Sequence, residues 1–201
     1  PEPVAPGQWL AQLDACLAAG IELVQMRANS LTAAAYAELA REAIARVHAR
    51  GARILLNAEP ALALRLGADG VHLNSQRLRA CAARALPAPA LVSAACHSAE
   101  ELARATAAGC DFVLASPVAP TATHPEAIAL GWTGLAALTQ DSRLPVYALG
   151  GMDAATLPRA VAAGCVGVAA ISAAWRDPAA LGTPGARRQL DLQAPLESAA
   201  L

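Results

Sequence analysis

Lysine is absent from the 201 residues, so all fifteen basic side chains are arginine. That excludes a Schiff-base lysine, a P-loop lysine and any lysine clamp on a pyrophosphate. Aromatic residues are nearly as scarce, 3% of the chain against a hydrophobic fraction of 56%, so Ala, Leu and Val must do the packing. Neither charge forms a block, and the net charge of −1 gives nucleic acid or an anionic membrane no electrostatic footprint. No apolar run is long enough to span a bilayer, and no signal peptide is visible. CxxC and HxxxH spacings are also missing, which excludes the usual zinc frameworks. The five cysteines (Cys16, Cys81, Cys96, Cys110 and Cys165) are odd in number and dispersed, and read as reduced thiols of a cytoplasmic protein.

What is present is an alternation of short apolar runs with helical stretches. The runs are Ile21–Arg27, Ile54–Asn57, Gly70–Leu73, Leu91–Ala95, Phe112–Ser116, Val146–Leu149 and Val166–Ile171. Each is almost continuously apolar, the pattern of a parallel strand covered on both faces. Helices are expected over Gln8–Ala19, Thr32–Arg50, Ala61–Leu66, Gln76–Ala85, Ala99–Ala108, Thr133–Thr139 and Ala154–Ala163. Four of them end in a repeated phrase: Ala19-Gly20-Ile21, Leu66-Gly67-Ala68-Asp69-Gly70, Ala108-Gly109-Cys110-Asp111 and Ala163-Gly164-Cys165. A glycine just past a helix supplies the left-handed residue from which the chain enters a strand.

This is the rhythm of an α/β protein built as a (β/α)₈ (TIM) barrel. The first visible element is a helix and the chain starts at Pro1, so the first of eight strands is expected to be missing from it. An open doubly wound sheet is the rival, but no GxGxxG fingerprint or antiparallel edge supports it. One domain is expected over residues 1–182, followed by a C-terminal helix or tail over 183–201.

In such a barrel chemistry sits at the C-terminal ends of the strands, with phosphate after the last two. Here those ends read Ala148-Leu149-Gly150-Gly151 and Ala170-Ile171-Ser172-Ala173. Paired glycines let backbone amides approach an anion closely, Asp153 suits an N-cap, and Ser172 offers a hydroxyl. His97 and His124 are the candidate acid–base groups, since histidine titrates near neutrality; an exposed loop role or a helix-capping role competes for each. His72 reads as structural and His48 as solvated.

Several segments, taken in order, carry a resemblance: Val24-Gln25-Met26-Arg27, Gly67-Ala68-Asp69-Gly70-Val71-His72-Leu73, His97-Ser98-Ala99-Glu100-Glu101, Ser116-Pro117-Val118 through Thr123-His124-Pro125, Ala148-Leu149-Gly150-Gly151 and Val168-Ala169-Ala170-Ile171-Ser172. Together they resemble the thiamine phosphate synthase family, including its thiazole tautomerase-like TenI members, from Gln8 to Trp175. The run Thr123 to Trp132 also resembles the divergent synthase-like domains fused to Nudix hydrolases. The resemblance implies a transferase of thiamine biosynthesis that joins a pyrimidine pyrophosphate to a thiazole phosphate with Mg²⁺ neutralising the leaving group. It implies substrate contacts at Gln25, Arg27, Asn57, Thr121, Thr123, Gly150, Gly151, Ile171 and Ser172.

The sequence departs from that pattern on one side. The family's Gln-x-Arg-x-Lys is Gln25-Met26-Arg27-Ala28-Asn29, its Asn-Asp is Asn57-Ala58, and its second metal carboxylate falls on Arg77. A Ser-Thr-His phrase becomes Ala95-Cys96-His97, and a lysine becomes His124. Mg²⁺ demands oxygen ligands, so no metal or other cofactor is expected unless synthase activity survives. The expected partner is a small organic phosphate of the thiazole phosphate type. A homo-oligomer, an upstream domain and a non-catalytic ligand-binding role all stay compatible with the residues.

Overall fold

Residues 5–121 and 126–181 are described by the structure, a computed structural model. The expected tail, 183–201, lies outside them. Seven strands alternate with helices: α1 (Pro6–Ala18), β1 (Leu23–Met26), α2 (Ala33–His48), β2 (Arg53–Leu56), α3 (Pro60–Leu66), β3 (Gly70–Leu73), α4 (Ser75–Ala80), β4 (Leu91–Cys96), α5 (Ala99–Ala107), β5 (Phe112–Ala115), α6 (Gly131–Gln140), β6 (Val146–Leu149), α7 (Leu157–Ala162), β7 (Gly167–Ala169), α8 (Ser172–Arg176) and α9 (Pro178–Leu181). Every strand pairs in parallel with the next in sequence, giving one sheet in the order β1 to β7. Sequential parallel order follows from helices that each cross back over the same face.

Alternation along each strand divides the core in two. Met26, Ile54, Leu56, Val71, Val92 and Val113 face the helices and are fully buried beneath Leu39, Val47, Leu78 and Leu135. Leu55, Leu91, Phe112 and Leu114 form a separate inner cluster, to which Leu23, Tyr147 and Leu149 add, with the Phe112 and Tyr147 rings edge to face at 5.6 Å. Each such side chain contributes roughly 1.5–3 kcal/mol of burial. An inner cluster spanning β1 to β7 requires the sheet to curl around it.

The helical layer curls with it. Helix α1 packs on α2 at one side and on α8 and α9 at the other. Gln12 Nε2 donates to the Trp175 carbonyl at 3.0 Å, Cys16 Sγ donates to the Ala174 carbonyl at 3.6 Å, and the Trp9 and Trp175 rings meet at 6.1 Å. The edge strands β1 and β7 are not paired with each other.

The repeated helix-end phrase does more than turn the chain. Gly67 and Gly109 take positive φ, of 78° and 69°, and the aspartate two residues on returns its carboxylate to the preceding strand. Asp69 Oδ2 accepts from the Ile54 amide at 2.8 Å while the Asp69 amide donates to the Ile54 carbonyl. Asp111 Oδ2 likewise accepts from the Val92 amide at 2.7 Å, and its own amide donates to the Val92 carbonyl. His48, exposed as expected, donates from Nε2 to Asp69 Oδ2 at 2.9 Å.

Two helix boundaries differ from expectation by three residues or more. Helix α4 stops at Ala80 rather than Ala85. Arg84 is drawn out of helical geometry to bind the carbonyls of Gly109 and Ala90 and both carboxylate oxygens of Asp111, and Pro87 and Pro89 follow. Helix α7 starts at Leu157 rather than Ala154, because Asp153 and Thr156 bond reciprocally, amide to side chain, in a turn just before it.

Asp111 therefore holds a strand amide and a guanidinium at once. Asp111→Ala leaves both without their acceptor and is expected to cost about 2–4 kcal/mol, read from urea unfolding midpoints. A loss below ~1 kcal/mol would show that water replaces the carboxylate.

Candidate functional site at the strand C-termini

Because all strands run the same way, their C-terminal ends share one rim. Arg27 follows β1, Asn57 and Ala58 follow β2, Asn74 and Arg77 follow β3, His97 follows β4, Ser116 to Thr121 follow β5, Gly150 and Gly151 follow β6, and Ile171 and Ser172 follow β7. The expected site residues thus converge on one end of the fold. Thr123 and His124 lie outside the described residues.

Gly150 and Gly151 have φ of 96° and 72°, conformations that favour glycine. They also sit under the loop after β5, whose Val118 amide donates to the Leu149 carbonyl at 2.9 Å and whose Ala119 amide donates to Gly150 at 3.1 Å. A Cβ at Gly150 would lie 2.8 Å from Pro117 Cα, and one at Gly151 would lie 2.8 Å from Ala119 Cβ. The glycines are required for this docking as well as for any ligand, a role that the sequence reading missed. Its only trace there is the run of small or rigid residues Pro117 to Pro120. Leu149 pairs with Ala169, so the glycine pair lies beside Ile171 and Ser172, and Gly151, Ile171 and Ser172 are all exposed.

His97 is held at its backbone and at its ring. Its amide donates to Glu101 Oε2 at 2.7 Å, and Ser98 caps α5 by accepting from the Glu101 amide, an interlock like a capping box. Its Nδ1 bonds the Ser116 carbonyl, which only accepts, so Nδ1 carries the proton and Nε2 of the neutral ring is the lone-pair nitrogen. Glu101 continues to Arg79 at 3.5 Å. The histidine is both a helix-start residue and an oriented imidazole on the rim.

Inside the curl, beneath the rim, the lining turns polar. His72 is fully buried, its Nδ1 2.9 Å from Ser93 Oγ. Gln25 Nε2 is buried and has no hydrogen-bond partner among the described residues, an amide donor left facing the interior. Asn29, with its amide oxygen turned to Arg27, accepts from Nη2 at 2.9 Å and Nε at 3.0 Å.

Arg77 stands where the resemblance implies a metal carboxylate. Its amide is capped by Asn74 Oδ1, and its guanidinium turns back to Asn57 Oδ1 and Glu59 Oε1, each at 2.9 Å. Ala58, the other implied carboxylate position, is a buried methyl. Among the described residues no three His, Cys, Asp or Glu side chains are grouped to hold an ion. A divalent cation ~4 Å from this guanidinium would meet about 8 kcal/mol of repulsion at an effective dielectric of 20. The donor set does not fit Mg²⁺.

Four of the five thiols are buried. All five are unpaired, and burial pushes Cys96 and Cys110 up to about 12 and Cys165 up to about 11. No described helix is long and apolar enough to cross a membrane.

A family model described as thiamine monophosphate synthase matches residues 3–174. The Geobacter sulfurreducens protein named "Putative thiamine-phosphate synthase" is 43% identical over 151 residues, 73% of this chain and 70% of its own length. The thiamine-phosphate synthase of Thiobacillus denitrificans is 36% identical over 148 residues, again 73% of this chain and 70% of its own. Among solved structures, the thiamine phosphate pyrophosphorylase from Pyrococcus furiosus superposes with a TM-score of 0.70 over 86% of both chains at 22% identity, a likeness of fold.

The buried imidazole gives the rim a pH signature. Desolvation first, then the charges of Arg27 and Arg77, lower His72 from 6.5 to about 4. Between these values the unfolded chain takes up a proton that the native state refuses. The stabilisation is complete above pH 6.5 and declines as pH falls towards 4. On passing from pH 7 to pH 5 the protein is expected to lose about 2 kcal/mol through this residue. His72→Gln should lack that loss in paired urea titrations; equal acid sensitivity would refute a neutral buried His72.

Proposed function

The chain belongs to the thiamine monophosphate synthase family, and from that premise we propose that it binds a small organic monophosphate of the thiazole phosphate type. The phosphate would sit between Gly150-Gly151 and Ile171-Ser172, with Gln25, Arg27, Asn57 and the Thr121 loop towards the organic part. The observation that carries this reading is the pairing of β6 with β7, which sets a positive-φ glycine pair, with Gly151 exposed, beside an exposed serine at one strand end. Backbone amides at such a pair and a hydroxyl beside them suit phosphate oxygens.

In the same reading the sheet is seven strands of a (β/α)₈ barrel, since α1 already joins the helices at both ends and an eighth strand between β1 and β7 would close the wall. Magnesium-dependent joining of the two thiamine precursors is not part of the proposed function, because Arg77 and Ala58 occupy the implied ligand positions. Unpaired thiols, four of the five buried, suit a reducing, cytoplasmic setting.

Calorimetric titration with thiazole phosphate tests this. The wild type is expected to bind, and Gly151→Asp should bind at least ~10-fold more weakly than Gly151→Asn, which carries the same backbone strain without the charge. Ser172→Ala should cost about 3–10-fold, the value of one hydroxyl hydrogen bond. Equal binding by the Asp and Asn variants would place the phosphate elsewhere. Thiamine phosphate formed at an ordinary enzymatic rate from both precursors with Mg²⁺ would overturn the loss of the joining reaction.

A further inference from the structure

Where the strands start, away from the rim, two thiols meet that the ligand site does not use. We propose that Cys81 and Cys110 form a redox staple: a hydroperoxide joins them in a reversible disulfide that ties the exit of α4 to the entry of β5. This stands apart from the monophosphate reading, at the other end of the sheet.

Arg84 brings the two segments together. It bonds the Gly109 carbonyl and both carboxylate oxygens of Asp111, the residues on either side of Cys110. A Cβ at Gly109 would lie 3.4 Å from Arg84 Cβ, so the two backbones are in close approach. Cys81 stands three residues before Arg84, where α4 has ended, and its Sγ donates to the Ala83 carbonyl at 2.8 Å. Helices α4 and α5 are neighbours, and both cysteines pack against the same apolar cluster. The charge of a Cys81 thiolate raises Cys110, an interaction that falls with separation.

The two thiols are unequal, and the inequality orders the chemistry. Cys81 is half-buried and within reach of solvent, whereas Cys110 is buried. Desolvation above all pushes Cys110 up to about 12, with the Arg84 guanidinium acting the other way. Cys81 is therefore the thiol that meets the oxidant. Its thiolate sulfur takes one peroxide oxygen, the O–O bond breaks, and the other oxygen leaves and is protonated to water; Cys81 is left as a sulfenic acid. The Cys110 sulfur then displaces that hydroxyl, which departs with the Cys110 proton as a second water while the S–S bond forms. Two thiols are oxidised by two electrons in total, and one molecule of hydrogen peroxide is reduced to two of water. Cys96 also feels the charge of Cys110, but it is fully buried on β4, out of reach of an oxidant.

The bond asks little of the fold. A disulfide needs its Cα atoms about 4.4–6.8 Å apart, and residues 81–90 belong to no helix or strand, so Cys81 can adjust without breaking a ladder. The closed loop runs through β4 and α5 and encloses the clamp of Asp111 on the Val92 amide. Closing it removes freedom from the unfolded chain, so the oxidised form is the more stable one.

The test is mild oxidation of the fully reduced protein with hydrogen peroxide, followed by alkylation of the remaining thiols, peptide mass mapping and thermal melting. The expected product is a single chain lighter by two hydrogens, with the peptides of Cys81 and Cys110 joined and Tm raised by about 5–10 °C. Dithiothreitol should reverse both changes. Cys81→Ser and Cys110→Ala should each abolish the cross-link and the rise, whereas Cys165→Ala should keep both. Reduced Cys81→Ser, altered at a half-buried position, should melt as cooperatively as the wild type, so its missing cross-link reads the thiol and not the fold. Oxygen added to Cys81 without a cross-link, a bond to Cys96 or Cys165 instead, a disulfide formed only between molecules, or a cross-linked chain that melts no higher than the reduced one would each overturn the inference.

Discussion

Register in the parallel sheet is set from below, by carboxylates that leave one strand start and bind the start of the strand before. Asp69 takes the Ile54 amide and Asp111 takes the Val92 amide, each while its own backbone amide donates back to the same residue. In a sheet of period two, a slip of one residue would turn the inner cluster outwards and carry the rim with it. What stands at the far end of each strand, from Asn57 to His97, is thus decided by bonds made at the near end. Arg84 adds weight at one of these points by holding Asp111 together with the carbonyls of Gly109 and Ala90.

The rim divides into two chemistries that share one interior. Towards β6 and β7 it is backbone, glycine and a hydroxyl. Towards β1, β2 and β3 it is guanidinium and amide, anchored over a buried neutral histidine. His97 stands between them with its tautomer set by a carbonyl. The family to which the chain belongs would place metal carboxylates on the second side, and this chain has a methyl and a guanidinium there instead. A guanidinium differs from a divalent ion in being tethered, singly charged and directional, and it cannot activate a bound oxygen as a Lewis acid does.

Much of this was legible in the sequence, and the illegible part has a common cause. The seven strands announced themselves because strands buried on both faces are continuous apolar runs, and the glycine-ended helices marked where each begins. The glycine pair after β6 was legible as a backbone device. Its docking against Pro117 and Ala119 was not, since that contact spans some thirty residues and leaves no periodic signal. The same holds for Arg77, recognisable as a departure from the family pattern but not as a partner of Asn57, and for Arg84, which ends α4 early by binding a residue of a later turn. The carboxylates of Asp69 and Asp111 appeared in a repeated phrase whose long-range purpose the phrase itself does not reveal. Local patterns told what forms; the bonds between distant turns decide where it stops and what it holds.

Helix α1 has a consequence for the order in which the molecule can be completed. Its apolar face, with Leu10, Leu13 and Leu17, is covered partly by α2 and partly by segments near Trp175, and Gln12 bonds a carbonyl 163 residues away. Contacts of such separation close late, because chain entropy is lost before the contact repays it. During synthesis the helix made first among the described elements must wait, half uncovered, until nearly the last has emerged. The newborn chain therefore exposes a leucine-rich stripe for most of its elongation, and protection of that stripe, by collapse onto α2 or by a chaperone, becomes a requirement of its biogenesis rather than of its finished form.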